Sequence, residues 1–293
     1  MDILNTADAA DFDWSLHPEE IIDVDGGQSE EGHVLASFEE LESIPVNNFL
    51  DVKELKKQLG FFASLKGYDI LYRGHALPGF ELKPSIARGT IIDYSQELEL
   101  LPYLKKICRN AGYEKYRLDN FNENLFYLSI GRHLGFNCRL LDWTLSLDTA
   151  LFFLSTDALD NDGVLWVMAV PRSVESENRD PFTIQDDMIH ILKEPFYIPA
   201  SEDGKPLPQP LGLLRRAHQN GFFSETTCDL LDTPINEIHS NQGIRFLRYH
   251  IPSEVKKAWA QSVDMESWKE WILDKEDEVN KKVKDLNNLY KTI

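Results

Sequence analysis

Four arginines, Arg73, Arg88, Arg139 and Arg215, stand among apolar residues, with the hydroxyls of Ser85 and Thr144 near them in sequence. A guanidinium matches phosphate oxygens two at a time, so arginines carried on hydrophobic scaffolding point to a phosphorylated ligand. Asp142 and Gln219 are candidate hydrogen-bond partners, and Trp143, Tyr72 or Phe222 can stack on a planar ring. A dinucleotide offers both features. The chain is organised around Gly131–Thr144, where Arg139 and Asp142 are framed by Leu140, Leu141 and Trp143. A charge buried alone is costly, so these two need partners. Three residues apart, they lie on opposite faces of a strand or near one another on a helix turn. They either pair with each other as scaffold or line a pocket.

Each candidate also has a structural reading. Arg73 is an anion clamp, with Gly74 letting another group approach the backbone, or an arginine bridging a carboxylate. Ser85 caps the following turn or holds a ligand. His133 is a helix-end cap or an acid–base group.

Several chemistries are excluded by pattern. There is no Walker loop, no Gly-x-Gly-x-x-Gly, no His-Glu-x-x-His and no Gly-x-Ser-x-Gly. The eight histidines do not pair with Cys or acids at metal spacing, so no metal is expected. Cys108, Cys138 and Cys228 fit reduced thiols in a cytoplasmic protein rather than a disulfide framework. No apolar run reaches the ~18 residues of a spanning helix, so no membrane is expected.

The net charge of −19 is uneven. Residues 1–50 hold thirteen Asp and Glu and no Lys or Arg, whereas the rest hold 36 acids and 30 bases. With no basic stripe, nonspecific nucleic-acid binding is not expected. Residues 1–35 read as an acidic, weakly ordered tail punctuated by Phe12, Trp14, Ile21 and Ile22. Such a tail either aids solubility or docks on a basic surface, its own or another protein's, as an inhibitor arm or as the dock for a protein partner or inhibitor.

The elements that must position the arginines follow from periodicity. Ser37 with Glu40 makes a capping box, and Val52, Leu55, Leu59 and Phe62 mark one face of a helix over 51–65 ended by Gly67. Tyr68–Tyr72 reads as a buried strand that delivers Arg73. Helices are expected over 97–110, 121–134 and 147–159, and strands over 164–170 and 244–251. Residues 171–210, with seven prolines, read as an excursion or lid. The fold class is α+β: a small mixed sheet of two or three short strands surrounded by helices, with an acidic N-terminal tail and a C-terminal helix. The expected division is a tail (1–35), a body (36–252) and a helical arm (253–293).

Four blocks in this order resemble the FRG-domain family, named for an aromatic-Arg-Gly motif. They are Tyr72-Arg73-Gly74, Leu82-Lys83-Pro84-Ser85 closing on Arg88, Arg132-His133 through Thr144 followed by Ala150-Leu151-Phe152-Phe153, and Arg215 with Gln219, Gly221 and Phe223. Three positions depart from the family pattern: Arg132 for Gln, Cys138 for Thr, and Leu147 for Pro. The motif is also distantly similar to the opening of arginine-type ADP-ribosyltransferases. That similarity implies NAD as the cofactor, Arg73 gripping its pyrophosphate, Thr144 or Ser146 in the middle position, and Gln219 or Glu225 in the last. Gly74, Ser85, Arg88, Arg139, Asp142, Trp143 and Arg215 would then complete the cofactor contacts. The implied function is an ADP-ribosyltransferase-like or NAD-consuming effector in bacterial or phage conflict. The alternative is a non-catalytic nucleotide-sensing or protein-interaction module whose acidic tail docks a partner. Since a neutral amide cannot act as a base, Gln219 speaks for the alternative.

Overall fold

The computed structural model describes residues 37–88, 95–111, 113–117, 121–133, 135–174, 180–182, 188–193, 221–239 and 241–261. The acidic tail, Arg215, Gln219 and residues 262–293 lie outside the described residues.

The chain enters through two capped helices, α1 (Phe38–Glu42) and α2 (Phe49–Lys66). At α1 the Ser37 hydroxyl accepts from the Glu40 amide while the Glu40 carboxylate accepts from the Ser37 amide. Asn48 and Asp51 repeat the exchange at α2, so donors that a helix start leaves unpaired are met by side chains. Gly67, at φ 72°, ends α2 in the left-handed region. The inward residues of α2 are the four that the spacing predicts, Val52, Leu55, Leu59 and Phe62.

The next elements are β1 (Tyr68–His75), α3 (Ser95–Ala111), α4 (Glu123–His133), β2 (Leu141–Thr144), α5 (Leu147–Ser155) and β3 (Gly163–Pro171). Then come β4 (His190–Lys193), β5 (Gly221–Glu225), β6 (Arg245–Ile251) and a last helix, α6 (Ser253–Ala260). The fold is α+β, as the sequence predicts. The sheet is larger than expected, however: six strands in the order β4-β5-β2-β1-β3-β6, every pairing antiparallel rather than mixed. β2 and β3 run in the same direction, but β1 lies between them and runs against both. β4 is only four residues long within the proline-bearing stretch, and β5 lacks the in–out alternation that marks a strand in sequence.

One face of the sheet carries Ile70, Tyr72, Leu165, Val167, Leu247 and Tyr249 under α1, α2, α5 and α6. Beside it, Leu104 and Cys108 of α3 and Leu125 and Leu128 of α4 pack onto Leu140, Leu192 and Phe223. The opposite face, with Leu71, Leu141, Trp143, Trp166 and Met168, is covered by Leu82, Ile189 and Ile235 from connecting segments. Burying each such side chain contributes about 1.5–3 kcal/mol before the entropy of ordering the chain is set against it.

The sequence boundary at residue 252 does not separate α6 from the body. Val255 and Trp259 join the first core, because the helix presents them at four-residue spacing. The Lys256 Nζ, fully buried, donates to the carbonyls of Ala76, Ala158 and Asn161 at 2.8, 2.8 and 3.0 Å and to Asp157 at 3.3 Å. One ammonium thereby ties together the chain after β1, the turn that follows α5 and the approach to β3.

Candidate functional site

The alternation of β1 assigns three separate tasks to consecutive residues. Tyr72 enters the helix-covered core, and Arg73 projects from the other face. Gly74 returns to the helix side, where an added Cβ would lie 2.0 Å from the Ala150 carbonyl oxygen and 2.9 Å from the Leu154 Cβ. The group that Gly74 admits to its backbone is therefore α5. Along β3, β1 is laddered through eight register pairs, but with β2 it shares one, Tyr72–Thr144. Beyond that pair the Arg73 side chain reaches β2, and its Nη1 donates to the Asp142 carbonyl at 2.6 Å.

Three guanidiniums meet at this place. Arg73 comes from β1, Arg132 from the last turn of α4, and Arg88 from the turn that follows Ser85–Ala87. Each is anchored through its Nε: Arg73 on His75 Nε2 at 3.0 Å, Arg132 on Asp142 Oδ2 at 2.7 Å, Arg88 on the Lys83 carbonyl at 2.9 Å. Arg73 Nη1 also lies 3.7 Å from Asp142 Oδ2. Among the described residues the carboxylate acting on all three is Asp142, whose side chain is 35% exposed. Three positive groups against one negative group leave a surplus of two positive charges.

Electrostatics reports the same crowding. Burial, with Arg132 and Arg88 adding to it against the pull of Asp142, pushes the Arg73 guanidinium down to about 9, so it stays charged at neutral pH. Burial and Arg132 also lower Arg88, whereas Asp142 raises Arg132. His75 is buried beside them, its Nδ1 3.2 Å from the Phe80 carbonyl. With the proton on Nδ1, the imidazole donates to Phe80 and accepts from Arg73, which sets the plane of that guanidinium.

The stretch from β1 to the start of β3, residues 68–163, matches the family model of the FRG domain. The chain carries an FRG domain. Arg73, Arg88, Arg132, His75 and Asp142 all fall within it. No curated protein and no solved structure matches the chain. Among the described residues no helix is long and apolar enough to cross a membrane.

The FRG domain does not gather every residue the sequence singles out. Arg139 turns to α3: its backbone N donates to Glu97 Oε1 at 2.6 Å, its Nε to Glu97 Oε2 at 2.7 Å, and its Nη1 to the Pro181 carbonyl. The guanidinium lies over the Phe182 ring, 4.6 Å from its centroid. Arg139 and Asp142 therefore do not pair with each other. Ser85 neither caps a helix nor faces the arginines. Its hydroxyl accepts from the Cys138 amide at 3.1 Å and donates to the Cys138 carbonyl at 3.3 Å, pinning the 85–88 turn that carries Arg88. Thr144 is buried, and its Oγ1 accepts from the Ser146 amide at 3.0 Å at the entry to α5. Ser146 in turn caps α5 through the Thr149 amide. Trp143 is buried with its Nε1 donating to Ser224 Oγ, and it packs near Phe246. Tyr72 is equally buried. Glu225 stands at the end of β5 remote from Thr144, opposite His190. Cys108 and Cys138 are buried thiols that burial pushes up to about 12, which leaves them protonated.

Two members of the cluster escape the sequence reading. His75 carries a usable signal, since two residues on from Arg73 in a strand is the same face. Arg132 is visible only as a departure from the family pattern.

His75 makes stability depend on pH. Burial first, then Arg73 and Arg88, hold its folded value at about 3, below the ordinary 6.5. The unfolded chain therefore binds the proton first as pH falls. Its contribution is complete above about 6.5 and is lost from there toward 3, by up to about 1.4 kcal/mol per pH unit. Urea unfolding at pH 7 and pH 5 should show a drop that is clearly smaller in His75→Gln. Equal slopes in the two proteins would contradict the buried neutral imidazole.

Proposed function

We propose that the FRG domain binds the phosphates of a nucleotide, with NAD as the ligand, on Arg73, Arg88 and Arg132. One observation carries this reading: all three guanidiniums are fixed through Nε, while among the described residues nothing accepts from Arg73 Nη2 or from the terminal nitrogens of Arg88 and Arg132. Anchored forks with their outer N–H groups turned from the anchor suit a multi-oxygen anion. Among the described residues the surplus of two positive charges matches the two negative charges of a dinucleotide's pyrophosphate. The planar rings of a dinucleotide would find Phe80, 52% exposed and set edge-on to His75 at 5.9 Å, rather than the buried Trp143 or Tyr72.

An ADP-ribosyltransferase-like or NAD-consuming effector role in bacterial or phage conflict is the catalytic extension of this reading. Holding the pyrophosphate would orient the nicotinamide ribose, and preorganised charge would favour an oxocarbenium-like transition state. The placement of Thr144 supports a second reading, a nucleotide-sensing module without turnover, because its hydroxyl already serves the α5 entry turn. Calorimetric titration with NAD tests the binding claim. Arg73→Gln and Arg132→Gln should each weaken binding on the order of 10- to 100-fold, as the loss of charged hydrogen bonds predicts. Unchanged affinity in both variants overturns the assignment. Nicotinamide release by the wild type but not by Arg73→Gln separates the effector from the sensor.

A further inference from the structure

Independently of that site, α2 presents an apolar and basic strip on the side away from the core. Leu50, Phe61 and Leu65 are 72%, 42% and 65% exposed. Their spacing of eleven and four residues puts them within one narrow sector of the helix, opposite Val52, Leu55, Leu59 and Phe62. A helix apolar on both sides is one that is covered on both sides. Lys53 and Lys57 share this outer sector, as does Glu54. Lys53 lies over the Phe49 ring at 4.9 Å, and Lys57 pairs with no carboxylate among the described residues. Lys56, further round, bridges Asp148.

We infer that residues 11–25 of this same chain dock along the outer face of α2. That segment contains Asp11, Asp13, Glu19, Glu20, Asp23 and Asp25 interleaved with Phe12, Trp14, Leu16, Ile21, Ile22 and Val24. It matches the strip in both chemistries: acids for Lys53 and Lys57, apolar side chains for Leu50, Phe61 and Leu65. The point where the described chain begins favours it too. Ser37 precedes Phe38, whose ring lies 4.6 Å from that of Phe62, beside Phe61. The twelve residues from there back to Asp25 reach up to about 40 Å, and α2 is about 27 Å long. The rival occupants fit less well. Residues 262–293 carry eight acids and six bases, close to balance. A second copy of α2 would set lysine against lysine.

Zero-length carbodiimide cross-linking of the full chain at low salt, with mass mapping, tests the docking. Within the monomer, Lys53 or Lys57 should link to acids of residues 11–25. Phe61→Ser/Leu65→Ser keeps both lysines and alters only exposed side chains, so melting should stay near wild type while the link yield falls about tenfold. Links from these lysines to residues 262–293, links found only in a dimer band, no links, or a yield unchanged in the double variant would each overturn the inference.

Discussion

Arg139→Met is expected to lower the unfolding free energy by about 3–5 kcal/mol, read from chemical denaturation at neutral pH. The side chains of Arg139 and Glu97 are 1% and 0% exposed and meet at 2.7 Å, with a second oxygen of Glu97 held by the Arg139 amide. Removing the guanidinium leaves a carboxylate in the core with only that backbone donor known to it, and the desolvation of Glu97 is no longer offset. The damage belongs to the broken pair rather than to the cation itself. Arg139→Met/Glu97→Leu should therefore recover a large part of the loss, giving a non-additive cycle. Additive losses, or a single-variant loss below about 1 kcal/mol, would show that the pair does not act as a unit.

Gly74→Ala should cost about 3 kcal/mol or more and lower the yield of folded protein, because the added methyl meets backbone rather than a side chain that can turn away. The Ala150 carbonyl oxygen, 2.0 Å from the new Cβ, belongs to α5, so the whole helix must lift from β1. Gly60→Ala is the control. Nothing lies within 4 Å of its Cβ position, and in mid-helix the exchange should be neutral or stabilise by about 0.5–1 kcal/mol. If both variants melt together, the close approach of α5 is not what selects glycine in the aromatic-Arg-Gly motif.

The parts of the fold that were legible in the sequence are those whose signal is local. Gly67 ends α2, and four residues at helical spacing mark its inner face. β1 and β3 are visible as apolar runs because they are central and long, and β6 by the alternation of buried and exposed residues along an edge strand. β4 and β5 were hidden, since a four-residue strand and an irregular Gly-Phe-Phe-Ser-Glu run have no period to read. The site divides along the same line. Arg73 is legible as a charge at a strand end. The partner of Arg139 is not, because Glu97 looks like an ordinary acid in the first turn of a helix. Its burial is decided only when α3 meets residues 139 and 181. Gly74, Ser85 and Thr144 belong to the family pattern, yet the structure uses them to seat α5, to pin the Arg88 turn and to start α5. A recurring motif therefore mixes residues that build the site with residues that hold its walls. Arg132 shows the converse: a departure from the pattern supplies one of the three guanidiniums.

The most direct measurement is thermal melting of the full chain with ADP-ribose and, separately, with nicotinamide riboside, which has no phosphate. Selective binding to the native state must raise the midpoint. The arginine cluster predicts a rise with ADP-ribose that disappears in Arg73→Gln, and none with the riboside. No rise with ADP-ribose, or equal rises with both ligands, would contradict a site built for phosphate.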